Sequence, residues 1–190
     1  MEPLLKPNDK LLFYKLLDNC NYYLEYGSGG STYQASLKKN IKKIYSIESD
    51  IQWQNNLKKN TNNNKVNFIY IDMKTSLNNW GYPGKDATNE EKINYSEQIK
   101  LIDKDIINKL DLILIDGRFR VACCLKCHEV INNNTLIAFD DFKPRFNEYS
   151  EVLNYFDIVD KTSDNNMYIF KKKENIVPKE IIKKYELDAR

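Results

Sequence analysis

The residues best suited to chemistry begin at Leu24-Glu25-Tyr26-Gly27-Ser28-Gly29-Gly30-Ser31-Thr32, where an apolar run passes into glycines and then into a capped helix. Glycines let the backbone approach a ligand closely, and a helix start offers unpaired N–H groups to an anionic or polar partner. A dinucleotide would want a third glycine where Thr32 stands, because that position packs helix against strand, so a pyrophosphate is disfavoured. Glu48 lies 21 positions beyond Gly27 at the end of the next apolar run, where an acid accepts hydrogen bonds from both ribose hydroxyls. Together they point to an adenosine ligand; the rival is a glycine turn that only reverses the chain.

A second group is acidic. Asp116, Asp140 and Asp141 could together hold a hard divalent cation through oxygen atoms, and such an ion would acidify a bound hydroxyl. Alternatively Asp140 or Asp141 is a base without a metal, or a helix cap ahead of Pro144. Arg118 and Arg120 follow Asp116 directly, and an arginine fork takes a carboxylate or phosphate bidentately. Two residues apart on a helix they cannot share a face, so one of them at most reaches the site. Trp80, Tyr82 and Tyr95 flank a long loop and could pack on the apolar face of an acceptor such as a sugar ring, with core packing as the rival reading. Cys124-Leu125-Lys126-Cys127-His128 has haem-attachment spacing, but it falls within an expected helix and lacks a second cysteine pair for zinc. Small buried thiols are the simpler reading. With His128 the sole histidine and no nucleophile elbow around Ser28, a serine hydrolase is excluded.

The elements that must position these groups alternate. Short apolar runs at Tyr22–Glu25, Ile44–Ile47, Val66–Ile71, Leu112–Ile115 and Thr135–Phe139 read as strands, each ending on or beside an acid: Glu25, Glu48, Asp72, Asp116 and Asp140. Open parallel sheets bind ligands outside the carboxyl ends of their strands, so these acids should ring one crevice. Ser31–Asn40, Asp50–Lys59, Ile93–Asn108, Arg118–Ile131 and Asn147–Tyr155 read as helices, and residues 1–19 as a leading one. Phe156–Asp160 and Asn166–Lys171, joined by Thr162–Asn165, read as a hairpin, and Asn60–Asn64 and Leu77–Glu91 as loops, the longer one a lid. A basic tail over 173–190 reads as a solvated helix. The expectation is one α/β domain over 1–190, a Rossmann-like seven-stranded sheet, parallel with a C-terminal antiparallel hairpin, flanked by helices.

Composition narrows the partners. A hydrophobic share of 42% with 12% aromatics excludes a disordered chain. A net charge of +2 is no footprint for nucleic acid or an anionic membrane. No apolar run reaches membrane-spanning length, the first residues carry no signal-peptide core, and four cysteines are too few for a disulfide scaffold, so a reducing, cytoplasmic location is expected. Abundant Lys, Asn and Ile reflect AT-rich coding.

At Glu25–Thr32 and Ile47-Glu48 the chain resembles the first and second motifs of class I S-adenosylmethionine-dependent methyltransferases. Asp111–Gly117 is similar to their fourth-strand motif, over a match spanning roughly 20–172. The resemblance implies S-adenosylmethionine held by Glu25, Gly27, Ser28, Gly29, Gly30, Ser31, Thr32, Glu48, Asp116 and, at the adenine, Asp72-Met73. Within the family, Asp116-Gly117 and Asp140-Asp141 resemble pairs in sugar O-methyltransferases that hold magnesium, although Arg118 stands where those enzymes favour another acid. Catalysis is then assigned to Asp116, Asp141 and Arg118, a metal to Asp116, Asp140 and Asp141, and the acceptor to Trp80, Tyr82, Tyr95 and Arg120. The expected function is O-methylation of a small acceptor, a sugar or sugar nucleotide, by a chain that could be a homo-oligomer or part of a longer polypeptide. The alternatives are a nicotinamide-dependent oxidoreductase and a non-catalytic binding module of the same fold.

Overall fold

A computed structural model describes residues 1–61, 64–76, 79–164 and 166–190. The loops expected at Asn60–Asn64 and Leu77–Glu91 and the turn at Thr162–Asn165 each contain residues outside this set. The chain runs α1 (Pro7–Asp18), β1 (Tyr22–Tyr26), α2 (Gly30–Leu37), β2 (Lys43–Glu48), α3 (Ile51–Asn60) and β3 (Val66–Tyr70). It continues through α4 (Asn89–Glu97), α5 (Lys104–Ile107), β4 (Leu112–Ile115), α6 (Arg120–Val130), β5 (Leu136–Phe139) and α7 (Phe146–Tyr149), and ends with β6 (Phe156–Lys161), β7 (Tyr168–Lys172) and α8 (Lys179–Tyr185). The seven strands form one sheet in the order β3-β2-β1-β4-β5-β7-β6. β1 to β5 pair in parallel, and β7 runs antiparallel to both β5 and β6.

Strand periodicity divides the core in two. In β4, Ile113 and Ile115 join one apolar cluster with Leu24, Phe139 and the inner face of α6, whereas Leu112 and Leu114 join another with Tyr23, Phe13 and Ala35. A strand covered on both faces has no room for polar alternation, which is why Leu112–Ile115 reads as an unbroken aliphatic run. From β1 the chain crosses to β2 and β3 on one side and then returns to β4 on the other, so the order reverses between β1 and β4. Their carboxyl ends define the crevice where an open sheet takes its ligand.

The helix expected over Ile93–Asn108 is broken. Thr88 and Glu91 form a capping box that starts α4 earlier, at Asn89, and a 3-10 turn over Gln98–Leu101 ends it. Ile102 is extended and Asp103 caps α5 through Asp105 N. Asn147–Tyr155 is likewise one α-helical turn followed by a 3-10 turn over Ser150–Asn154.

The tail is docked on the domain rather than wholly solvated. Ile182 of α8 and the preceding Val177 are buried, and Glu186 reaches Lys126 of α6, whose side chain is wholly enclosed. The Lys126 Nζ lies 2.7 Å from both Glu97 Oε1 and Glu186 Oε1, and donates to Ser96 Oγ at 3.0 Å. Removing one partner of such an enclosed set strands the others. We expect Lys126→Ala to cost about 3 kcal/mol in urea unfolding, and Lys126→Met combined with Glu97→Gln and Glu186→Gln to recover most of that loss.

Candidate functional site

The glycine loop sits on the β1 end. Gly27 has φ +93°, and a Cβ there would lie 2.8 Å from Gly117 N, so the turns after β1 and β4 touch backbone to backbone. At Gly117 a Cβ would meet Tyr95 Oη at 2.2 Å. Both positions demand glycine for close approach. Over Gly29 a Cβ would meet nothing within 4 Å, so open space lies in front of the loop. Gly30 faces another way: a Cβ there would strike the carbonyl carbon of Glu2 at 2.2 Å, so the Glu2–Pro3 segment rather than a ligand occupies its face.

The two strand-end glutamates differ in kind. Alternation turns Glu25 beneath α2, where the carboxylate accepts Ser31 Oγ at 2.7 Å, Tyr23 Oη at 2.8 Å, Ser46 Oγ at 2.7 Å and the Thr32 hydroxyl. All four donors are internal. Burial pushes its pKa up to about 7, with these hydroxyls opposing. Glu48 Oε1 accepts Ser49 N at 2.6 Å and Asp50 N at 2.8 Å, whereas Oε2 accepts only Ser28 N, at 3.0 Å. A carboxylate oxygen takes two hydrogen bonds, so Oε2 keeps acceptor capacity beside the glycine loop. Burial raises the Glu48 pKa against those backbone donors.

Asp72 is half-exposed and salt-bridged to Lys74 at 2.7 Å, whereas the Met73 side chain is wholly buried. Gly81 covers the β2 end, where its carbonyl accepts Ser49 Oγ at 3.1 Å. The next residue, Tyr82, stacks on the Arg118 guanidinium, 4.3 Å from ring centroid to Cζ. Trp80 is 75% exposed, so it is not a core residue. Tyr95 is a core residue, wedged between Tyr26 and Phe119 at ring separations of 5.7 and 6.0 Å.

The metal expectation meets a different cation. Arg120 Nη2 lies 3.0 Å from Asp116 Oδ1, and Nη1 lies 3.9 Å from Asp140 Oδ2 and 4.0 Å from Asp141 Oδ2. The guanidinium therefore stands among the three carboxylates where the magnesium ion was expected. Among the described residues no group of His, Cys, Asp or Glu has the arrangement to hold a metal ion. Arg120 also donates to the carbonyls of Gly117, Asp116 and Asp140, so it is a framework residue rather than an acceptor contact. Burial and the neighbouring Asp116 push the Asp140 pKa up to about 8 against Arg120, and burial raises Asp116 as well.

The face rule applied to Arg118 and Arg120 does not hold, because α6 begins at Arg120: Phe119 is left-handed at φ +53° and leaves Arg118 outside the helix. The four cysteines are free and buried, and His128, in the last turn of α6, is enclosed against Phe156. Sequence reasoning missed Ser46, Ser49, Trp53 and Gly81. Trp53 Nε1 donates to Ser28 O at 2.7 Å, and Ser46 reaches Glu25 because the strand register pairs them. Only that register, invisible in one sequence, marks Ser46.

Solved structures share this fold. A methyltransferase-like protein from Silicibacter pomeroyi superposes with a TM-score of 0.83 at 23% identity, over 100% of this chain and 98% of that one. A putative caffeoyl-CoA O-methyltransferase from Staphylococcus aureus gives 0.53 at 17% identity, over 90% and 86%. The tRNA (m1A58) methyltransferase of Aquifex aeolicus gives 0.55 at 17%, over 90% and 71%. No family model and no curated sequence matches the chain. The architecture is thus the class I S-adenosylmethionine-dependent methyltransferase fold.

An acid with a raised pKa binds its proton more tightly folded than unfolded, so it stabilises at low pH and that stability is lost as pH rises from the unfolded pKa to the folded one. For Glu25 the window runs from 4.5 to about 7. We expect its contribution to fall by up to about 3 kcal/mol across that window. Urea midpoints at pH 5 and pH 8 should differ less in Glu25→Gln than in wild type.

Proposed function

We propose that this chain is an S-adenosylmethionine-dependent methyltransferase acting on a small acceptor, a hydroxyl of a sugar or sugar nucleotide, in a reducing cytoplasmic compartment. The observation that carries the cofactor reading is Glu48, with one oxygen locked by two backbone amides and the other holding one amide and one spare acceptor position beside the unobstructed face of Gly29. A carboxylate so fixed can receive a ribose hydroxyl on Oε2 without reorganising. Glu48 and the backbone of Gly27, Ser28 and Gly29 would hold the cofactor. When bound it supplies a methyl group already activated on a sulfonium, so the chain's own residues have to orient an acceptor and remove a proton.

The acid pair suits the second task. Asp116 keeps 31% of its side chain exposed, while Asp140 lies behind it with 8%. Asp116 is the member that meets an acceptor, and Asp140 behind it, its pKa raised by burial and by Asp116, favours the protonated form that lets the pair exchange a proton. Arg120 beneath them offsets their charge. The sugar acceptor rests on the sequence resemblance at Asp116-Gly117 and Asp140-Asp141 and on these acids. The antiparallel β7 and the missing third glycine disfavour a nicotinamide oxidoreductase.

Calorimetry should show S-adenosylhomocysteine binding and no NADH binding. Glu48→Gln, which retains an acceptor oxygen for the backbone amides, should weaken the former about thirtyfold, or ~2 kcal/mol. Binding of NADH alone would overturn the cofactor. In a screen with methyl-labelled cofactor over sugar nucleotides, catechols, peptides and RNA, we expect turnover on a sugar nucleotide that is unaffected by chelation. Loss of turnover with a chelator would bring the metal back.

A further inference from the structure

Arg118 is a charged group at the crevice whose hydrogen-bonding capacity the described residues leave unanswered. It is only 7% exposed, and its Nε is enclosed without a hydrogen-bond partner. Among the described residues its side chain makes no ion pair. A guanidinium cannot shed its proton to escape this, so it stays charged out of water. The Tyr82 ring answers for one face, but a cation–π contact leaves the in-plane N–H donors unused. The nearby acids make no ion pair with it: Glu48 is oriented by three backbone amides and Asp116 pairs with Arg120. The contrast with Arg120 is direct, because that equally buried guanidinium makes four hydrogen bonds. The position is also apt. A Cβ on Gly81 would touch Arg118 Cγ at 3.7 Å and Glu48 Oε1 at 3.9 Å, so Arg118 and Glu48 flank the same glycine, and Arg118 follows Asp116 by two positions.

We infer that Arg118 is an anion-binding residue: with Tyr82 stacked on one face, its guanidinium receives a carboxylate or phosphate in its plane. Planar bidentate pairing is the geometry that satisfies a fork of N–H donors, and such charge-assisted bonds are the strong ones. The anion belongs either to the methyl acceptor or to the amino-acid end of the cofactor, and only this choice of source rests on the methyltransferase reading. A guanidinium kept for a ligand is a cost to the empty protein, so its removal should not destabilise the fold.

The test compares wild type, Arg118→Met and Arg118→Lys by calorimetry with S-adenosylhomocysteine, with methylthioadenosine, which lacks the carboxylate, and with inorganic pyrophosphate added to the S-adenosylhomocysteine-saturated protein. We expect Arg118→Met to lose at least about tenfold on one arm, Arg118→Lys to lose less, and the unliganded Met variant to melt no lower than wild type. A loss for S-adenosylhomocysteine but not methylthioadenosine assigns the anion to the cofactor, and a loss confined to pyrophosphate assigns it to the acceptor. Unchanged affinities on both arms would overturn the inference and make Arg118 a strut for the Tyr82 loop, as would a Met variant that melts lower with its affinities intact. If Met does not fold, Lys carries the comparison. Should wild type bind neither adenosine compound, the cofactor reading falls, and pyrophosphate added to the unliganded protein decides the anion site alone.

Discussion

The site depends on one buried guanidinium. Arg120 Nε holds the Gly117 carbonyl at 3.0 Å, Nη1 the Asp140 carbonyl at 2.8 Å, and Nη2 the Asp116 carbonyl at 3.1 Å, so a single side chain ties the turn after β4 to the end of β5. Because arginine does not deprotonate, it also sets a permanent positive charge among Asp116, Asp140 and Asp141. Three acids crowded at a strand end would otherwise repel one another and lose water at once. With an internal cation they settle into an inner pair, Asp116 and Asp140, and a third member, Asp141, near the same guanidinium. Asp140 is further tied to α1, since Asn166 Nδ2 bridges Asp140 Oδ1 and Asp9 Oδ2.

A second constraint is steric. Gly27 and Gly117 bring two strand-end turns into backbone contact, and the Tyr95 hydroxyl fills the remaining space at Gly117. The crevice floor is therefore main chain, and the side chains that can vary its chemistry, Glu48, Arg118 and Tyr82, come from its walls. This explains why Tyr95, an aromatic that the sequence offers as an acceptor contact, belongs to the core: its hydroxyl supports the floor from below.

The strands were legible because five aliphatic runs end on acids and periodicity marks both faces, and Leu112–Ile115 is found with the expected bounds. The hairpin that separates this sheet from a wholly parallel one was legible as well. Helix ends were not, where capping overrides composition: Thr88 and Glu91 form a capping box that average polarity hides, and Phe119 takes a left-handed conformation that its residue type disfavours. At the site, the sequence marks Glu25 and Glu48 equally, as it does Arg118 and Arg120. What separates the members of each pair is how many partners surround them, and that follows from register and turn geometry rather than from residue type.

That separation distinguishes framework from function. Glu25 and Arg120 are saturated by the protein, with four acceptances for one and four donations for the other, so neither has anything to offer a ligand. Glu48 and Arg118 are left short on the crevice side. The non-glycine residues with left-handed backbones, Lys74, Trp80, Phe119 and Asp141, also fall in the segments that follow β3, β4 and β5. Such conformations persist only where the surroundings over-determine them. Unsatisfied polar groups and strained backbone thus accumulate at the same end of the sheet, where a ligand would repay the first and the packing of Arg120, Tyr95 and the two glycines enforces the second.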